Sequence, residues 1–153
     1  MEQYVELVEK DIKKRGNIVP ISNVTIEDSN FERYISHYRF DVGFLKFVED
    51  TKSVADFNGP VTIDNIWVDF DKEDDIDGAR KEALKFLHNL SKVSGLPYRT
   101  FPIFFSGNKG FHIGINAKLL DIQNQFSQEL PDNIKSFIKK LTDDIKCVDY
   151  TIY

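Results

Sequence analysis

The sequence holds a single cysteine, Cys147, a single tryptophan, Trp67, and a single methionine. One thiol excludes an internal disulfide framework and any zinc knuckle that needs two or more thiolates from this chain. Any bound metal is then expected on oxygen ligands. Proline and glycine are sparse, 5 and 8 of 153 residues, which excludes collagen-like repetition and a low-complexity linker. Long apolar runs are missing as well: a stretch such as Phe101-Pro102-Ile103-Phe104-Phe105 falls far short of the roughly 20 residues of a membrane span. The N terminus is charged from Glu2 onward and lacks a signal-peptide pattern. No membrane partner and a cytoplasmic location are the expectations. A basic surplus is also absent, with 20 Lys and Arg against 25 Asp and Glu and a net charge of -5. Affinity for nucleic acid usually comes from a basic surface, so only weak binding is expected of this unit alone.

Aromatic residues are plentiful, with 13 Phe and 6 Tyr in a chain that is 41% hydrophobic. That is enough for one well-filled core, and no composition shift marks a second independent domain, so the chain is read as one globular unit. Tyr4, Val5, Leu7, Val8 and Ile12 have helical spacing, and Lys13-Lys14-Arg15-Gly16 offers a basic last turn with a capping glycine, which predicts a first helix to about Arg15. Tyr34 to Phe40 is rich in strand formers, whereas Phe44, Leu45, Phe47 and Val48 fit either periodicity and leave 41–58 open.

From residue 61 the pattern sharpens. Ile66-Trp67-Val68-Asp69-Phe70-Asp71 predicts a strand with Trp67 in the core. Ile76, Ala79, Ala83, Leu84, Leu87, Leu90 and Val93 repeat at three and four until Gly95-Leu96-Pro97 stops a helix. Strands at 101–105 and 111–116 flank the tight link 106–110, as in a hairpin. Ile134, Phe137, Ile138, Leu141 and Ile145 predict a second helix, with Pro131 in its first turn, before a strand over Cys147 to Ile152. The fold expected is α+β: an RRM-like or ferredoxin-like βαββαβ core over 61–153 with a small α/β extension over 1–60 packing on it. That topology makes the first and third strands central and sets the fourth beside the first.

Side chains at i and i+2 of a strand share a face, so Asp69 and Asp71 stand together, roughly 6 to 7 Å apart. Two carboxylates so placed repel, and a hard divalent cation relieves that repulsion. Asp149 follows Val148 as Asp69 follows Val68, and three carboxylates could hold two ions. The plainer reading is the solvent face of a half-exposed strand. In Ser106-Gly107-Asn108-Lys109-Gly110-Phe111-His112, two glycines let the backbone come close to a ligand; the amides, the Ser106 hydroxyl, Lys109 and His112 can all donate to phosphate oxygens. Its plainer reading is a hairpin turn with an exposed lysine and a satisfied histidine. The spacing is not that of a Walker loop, and a strand, not a helix, follows it.

Taken in order, Val68-Asp69-Phe70-Asp71, Ser-Gly-x-x-Gly-x-His over 106–112 and Val148-Asp149 resemble the three motifs of the archaeo-eukaryotic primase superfamily, closest to its plasmid and viral primase-polymerase branches. The resemblance covers residues 60 to the end. It implies a DNA primase or DNA polymerase catalytic domain that transfers nucleotides from NTP or dNTP to a 3′ hydroxyl on a single-stranded DNA template and primer. It also implies that Asp69, Asp71 and Asp149 are catalytic and bind Mg2+ or Mn2+ in a two-metal site, and that Ser106, Lys109 and His112, with Asn108, contact the triphosphate. A helicase or further C-terminal domains are the implied partners, and a virus or plasmid origin would make the location the host cytoplasm. Asn108 stands where eukaryotic-type primases tend to carry a basic residue, which shifts the phosphate charge onto Lys109 and His112. The chain stops four residues after Asp149, before the further strand and basic residues common in this family, so a core truncated at its C-terminal end is expected. Arg39, on a strand like the one that ends the family's N-terminal subdomain, is a further candidate for the nucleotide site.

His37 and His88 have no partner set in sequence. Lys135, Lys139, Lys140 and Lys146 form either a solvated helix face or a contact to a template backbone. Two competing functions remain: a non-catalytic core fragment that binds nucleotide or single-stranded nucleic acid for a larger replication protein, and a sugar-nucleotide transferase using the Asp-x-Asp pair, which leaves 106–112 and Asp149 unexplained.

Overall fold

The computed structural model describes residues 2–25, 28, 30–107 and 109–150. Among these lie β1 (Tyr4–Glu9), β2 (Ile18–Pro20), β3 (Arg33–Ile35), β4 (Arg39–Phe40), α1 (Val42–Thr51), β5 (Val61–Thr62), β6 (Asn65–Asp71), α2 (Ile76–Ser94), β7 (Ile103–Phe105), β8 (Gly110–Asn116), α3 (Leu130–Leu141) and β9 (Val148–Asp149). The protein is α+β, with two antiparallel sheets among the described residues. It forms two compact units, Met1–Asp64 with Ile122–Leu130 and Asn65–Asp121 with Pro131–Tyr153. The boundary falls at 64/65 in place of 60/61, and 122–130 belongs with the first unit. Uniform composition hides this division because each unit carries its own aromatic and aliphatic core.

In the first unit the strand order is β2-β1-β4-β5, with β3 also on β1. The helix expected over 4–15 is a strand followed by a loop. Its apolar positions are too few to set a period, and β1 is instead fixed by ladders to β2, β3 and β4. Gly16 does take a left-handed φ of 94°, but in the β1–β2 connection and not at a helix end. The single strand expected over 34–40 is broken at 36–38, where Ser36 Oγ accepts from Glu6 N at 3.1 Å and donates to the Tyr38 carbonyl at 2.8 Å, taking up backbone groups that a continuous ladder would pair. The open stretch after residue 41 is α1, capped by Asp41, whose carboxylate accepts from Gly43 N at 2.8 Å. Phe44 stacks on Phe40 with centroids 3.9 Å apart and meets Phe57 at 4.8 Å, giving this unit an aromatic core.

In the second unit the order is β7-β8-β6-β9, so β6 and β8 are central and β9 lies beside β6. Ile66, Val68 and Phe70 are fully buried and are register partners of Ile115, Ile113 and Phe111, which makes one apolar face. Helix α2 packs there, with the Phe70 and Phe86 rings 5.2 Å apart, and ends on Gly95 with φ 70°. Helix α3 buries Ile134, Ile138 and Leu141, and the Asn89 side-chain amide on α2 donates to the Leu141 carbonyl at 3.1 Å. It has Pro131 in its first turn, as expected, and ends at Leu141, four residues before the last apolar position of the spacing; Ile145 is buried from a turn beyond it. Tyr150 OH meets Thr142 Oγ1 at 2.5 Å, which anchors the end of β9 to that turn. Positions 151 and 152 of the expected last strand lie outside the described residues.

Candidate nucleotide and metal site

The face of the second sheet opposite α2 is set by strand parity. Asp69 is the register partner of His112 on one side and of Asp149 on the other, and His112 is in turn the partner of Phe104. Directly opposed residues in antiparallel ladders project from the same face, with Cα atoms about 5 Å apart. Phe104, His112, Asp69 and Asp149 therefore form one row across all four strands. Asp71, two residues along β6, stands on the same face as Asp69.

Each β6 acid on this face has a basic partner. His112 Nδ1 lies 2.5 Å from Asp69 Oδ1, a bond in which the imidazole N–H donates and the carboxylate accepts. Lys109 Nζ lies 3.4 Å from Asp71 Oδ2. Asp69 is the more enclosed of the two acids, its side chain 22% exposed against 37% for Asp71. Asp149 is exposed. Among the described residues no three His, Cys, Asp or Glu side chains are gathered closely enough to coordinate one ion. The donor chemistry nonetheless fits a hard divalent cation, since three carboxylates share a face and Asp69 and Asp71 each engage only one oxygen with the partner named.

The loop joining β7 to β8 is closed by its own backbone: Ser106 N donates to the Gly110 carbonyl at 2.9 Å, and Gly110 N donates to Ser106 Oγ at 3.0 Å. Gly107 has φ 87°, a left-handed conformation that glycine adopts without a Cβ penalty. Gly110 is needed for another reason. A Cβ there would run into Asp71 Oδ1 and the Phe70 carbonyl, because β6 and β8 close tightly at this point. Lys72 N donates to the Lys109 carbonyl at 3.2 Å and ties the loop to the end of β6. Beside it is an open depression of about 320 Å3 lined by residues that include Lys72, Asp75 and Lys109, at the start of α2. There the Asp75 carboxylate hydrogen-bonds Lys72, which raises the lysine's pKa and lowers the aspartate's. Burial pushes the nearby Cys147 thiol up.

The structure thus brings Asp69, Asp71, Asp149 and His112 onto one face, with Lys109 joined to it through Asp71 and Ser106 closing the loop. Asn108 lies outside the described residues. Arg39 belongs to the first unit, where its guanidinium holds Asp64 through Nε at 3.1 Å and a terminal nitrogen at 3.0 Å. Trp67, expected in the core, lies two residues before Asp69 on the same face and is only partly buried. Its ring crosses above Gly114, where a Cβ would come within 2.8 Å of it, and meets Phe104 with centroids 5.4 Å apart at 63°. The parity that pairs Asp69 with Asp71 also places Trp67, and the hairpin register places Phe104; both signals are in the sequence. His88 is exposed, with Nδ1 3.2 Å from Tyr98 OH. Lys139, Lys140 and Lys146 are exposed and Lys135 is half-buried. No helix among the described residues is long and apolar enough to cross a membrane. Compared with family models, with curated proteins and with solved structures, the chain gives no match.

Proposed function

We propose that the second unit is an RRM-like βαββαβ core and carries a primase-polymerase activity: metal-dependent, template-directed transfer of a nucleoside monophosphate from NTP or dNTP to a 3′ hydroxyl. The observation that carries this reading is the row His112–Asp69–Asp149, in which residues from three separated stretches meet on one sheet face. The order of elements and the strand order β7-β8-β6-β9 support the fold assignment. Fold alone assigns no activity, so the chemistry rests on the site.

Asp69, Asp71 and Asp149 would hold Mg2+ or Mn2+, and such ions would supply charge to activate the attacking hydroxyl and steady the triphosphate. Lys109, Ser106 and the loop amides would bind the phosphates. Lys109, which contacts Asp71 in this structure, would turn to the phosphate oxygens, and Asp71 would then be able to hold the ion. Asp69 fixes the His112 ring through Nδ1, and a doubly protonated ring would turn its Nε2–H towards an anion. Positioning and charge stabilisation are the whole of the protein's contribution, and no covalent enzyme intermediate is needed. A single-stranded DNA template with its primer is the partner this chemistry requires.

A second reading, a nucleotide-binding module without turnover, draws on the pairing of both β6 acids with basic side chains. Incorporation of labelled nucleotide on a primed template with Mn2+ decides between them. The wild type is expected to extend the primer and release pyrophosphate, and Asp69→Asn and Asp71→Asn to lose at least a hundredfold in rate with the fold unchanged. Saturable nucleotide binding without pyrophosphate would favour the module, and normal extension by both variants would remove the metal role.

A further inference from the structure

We infer that Phe104 and Trp67 form a stacking platform for a nucleobase, set at the opposite end of β8 from the loop that carries Lys109. The idea deepens the reading above, on which it depends only for the identity of the phosphate end.

The residues that β8 presents to this face are Gly110, His112, Gly114 and, at the strand's last position, Asn116. From Gly110 to Gly114 the strand advances about 13 Å by its rise per residue. One end of that track is polar and charged, with Ser106, Lys109 and Asp71 around Gly110. The other end is apolar and aromatic: Trp67 is the register partner of Gly114, and Phe104 stands beside His112. Gly114 offers no side chain of its own, and Trp67 and the Pro102 ring occupy the space a Cβ would take, at 2.8 and 2.9 Å. Phe104 keeps 53% of its surface exposed although it is braced by the Trp67 ring. An aromatic side chain half open to solvent in the same row as a carboxylate and an imidazole suits a ligand that is planar and π-faced at one end and anionic at the other. A purely aliphatic partner would leave Asp69 and His112 facing apolar surface. A second copy paired through β7 fits less well, because that strand has only three residues and Ile103 and Phe105 project from the other face. Base stacking on aromatic side chains tolerates any base, as template-directed chemistry demands.

The base could come from a free nucleotide or from a strand, and two titrations separate these sources. Trp67 is the sole tryptophan, so its emission reports on the platform directly. The 153-residue protein is titrated with magnesium ATP, magnesium tripolyphosphate and a short oligothymidylate. Quenching by ATP with no change on tripolyphosphate is expected; quenching by the oligonucleotide alone would support the platform and assign it to a strand base. Phe104→Leu, which keeps an apolar side chain at an exposed site, is expected to weaken the quenching ligand about ten- to a hundredfold, and Phe104→Tyr to restore it. Silence of Trp67 towards both base-bearing ligands overturns the inference, and so does wild-type affinity in Phe104→Leu. Emission that changes only with protein concentration overturns it too and points to self-association. The incorporation assay on the same samples keeps the two ideas apart: primer extension with a silent Trp67 removes the platform alone, whereas base-dependent quenching with no pyrophosphate release removes nucleotidyl transfer alone.

Discussion

Asp69 and Asp149 are register partners across the β6–β9 ladder, so two carboxylates distant in sequence stand on one sheet face at adjacent positions. Like charges directly opposed in a sheet cost roughly 0.2–1 kcal/mol. The stability of Asp149→Asn in EDTA sets its own baseline, and the test is how far Mn2+ raises each protein above that baseline. An ion bound to the folded state alone adds about 2.7 kcal/mol at a hundredfold excess over its dissociation constant, and the variant should lose most of that gain. Thermal melts of both proteins with EDTA and with millimolar Mn2+ test this. Equal Mn2+-induced shifts would remove Asp149 from the ligand set.

Gly110 makes the site's closest backbone approach. Because a Cβ there meets the Phe70 carbonyl as well as a side chain, the strain of Gly110→Ala cannot be relieved by a rotamer change. Overpacking of this kind costs roughly 1–3 kcal/mol. The variant should unfold at lower urea concentration by that amount and bind nucleotide more weakly, since β8 must move away from Asp71. Gly107→Ala strains a left-handed backbone in open space, and its cost should be smaller, about 1 kcal/mol. A Gly110→Ala midpoint at or above that of Gly107→Ala would contradict the close-approach argument.

Legibility of the chain followed how local the signal was. The segments 65–71 and 76–94 were readable because β6 alternates strictly and α2 repeats over five turns between an acidic start and a capping glycine. The acid row was readable for the same reason: parity on β6 and the order of elements together place Asp149 opposite Asp69. Tyr4–Glu9 was misread because its few apolar residues suit both periods, and what decides is pairing with residues 18–20, 33–35 and 39–40, which no local window contains. Trp67 was misread as core because its bulk outweighed its parity. The pairing of the acids with His112 and Lys109 depends on rotamers, which spacing does not specify.

Glu6 is a buried charge in the first unit, 4% exposed, and it is held by Arg15 through two bonds and by Gly16 N at 2.7 Å. Burial alone would raise its pKa, but the hydrogen bonds from Arg15 and Gly16 and the Arg15 charge outweigh burial and lower it. Removing the guanidinium leaves a buried carboxylate with one backbone donor. Arg15→Met should cost roughly 3 kcal/mol at pH 7, the low end for a broken buried pair because Arg15 is itself half-exposed. The deficit should shrink as the pH falls below the ordinary carboxylate range and Glu6 becomes neutral. Pairing Arg15→Met with Glu6→Leu should recover most of the loss. Urea denaturation of the wild type, Arg15→Met and the double variant at pH 7 and pH 4 checks this; a deficit independent of pH would assign the effect to packing of the Arg15 stem instead.

His37 gives the first unit a stability that depends on mild acid. Its residue surface is only partly covered, but Nε2 is fully buried, and the environment of that nitrogen is what matters for protonation. Burial, with Arg39 nearby, lowers its pKa to about 4. An unfolded histidine titrates near 6.5, so between these values the unfolded chain binds the extra proton and stability rises with pH. The contribution is complete above about pH 6.5 and is lost as the pH falls towards 4, with roughly 2 kcal/mol gone by pH 5. His37→Gln removes this dependence. The difference in unfolding free energy between wild type and variant should therefore shift by about that amount between pH 7.5 and pH 5, in favour of the variant at the lower pH. Carboxylates that titrate below pH 5 affect both proteins alike and cancel. A difference that stays constant across this range would mean that His37 takes up its proton as readily folded as unfolded, and that burial around Nε2 does not hold the ring neutral.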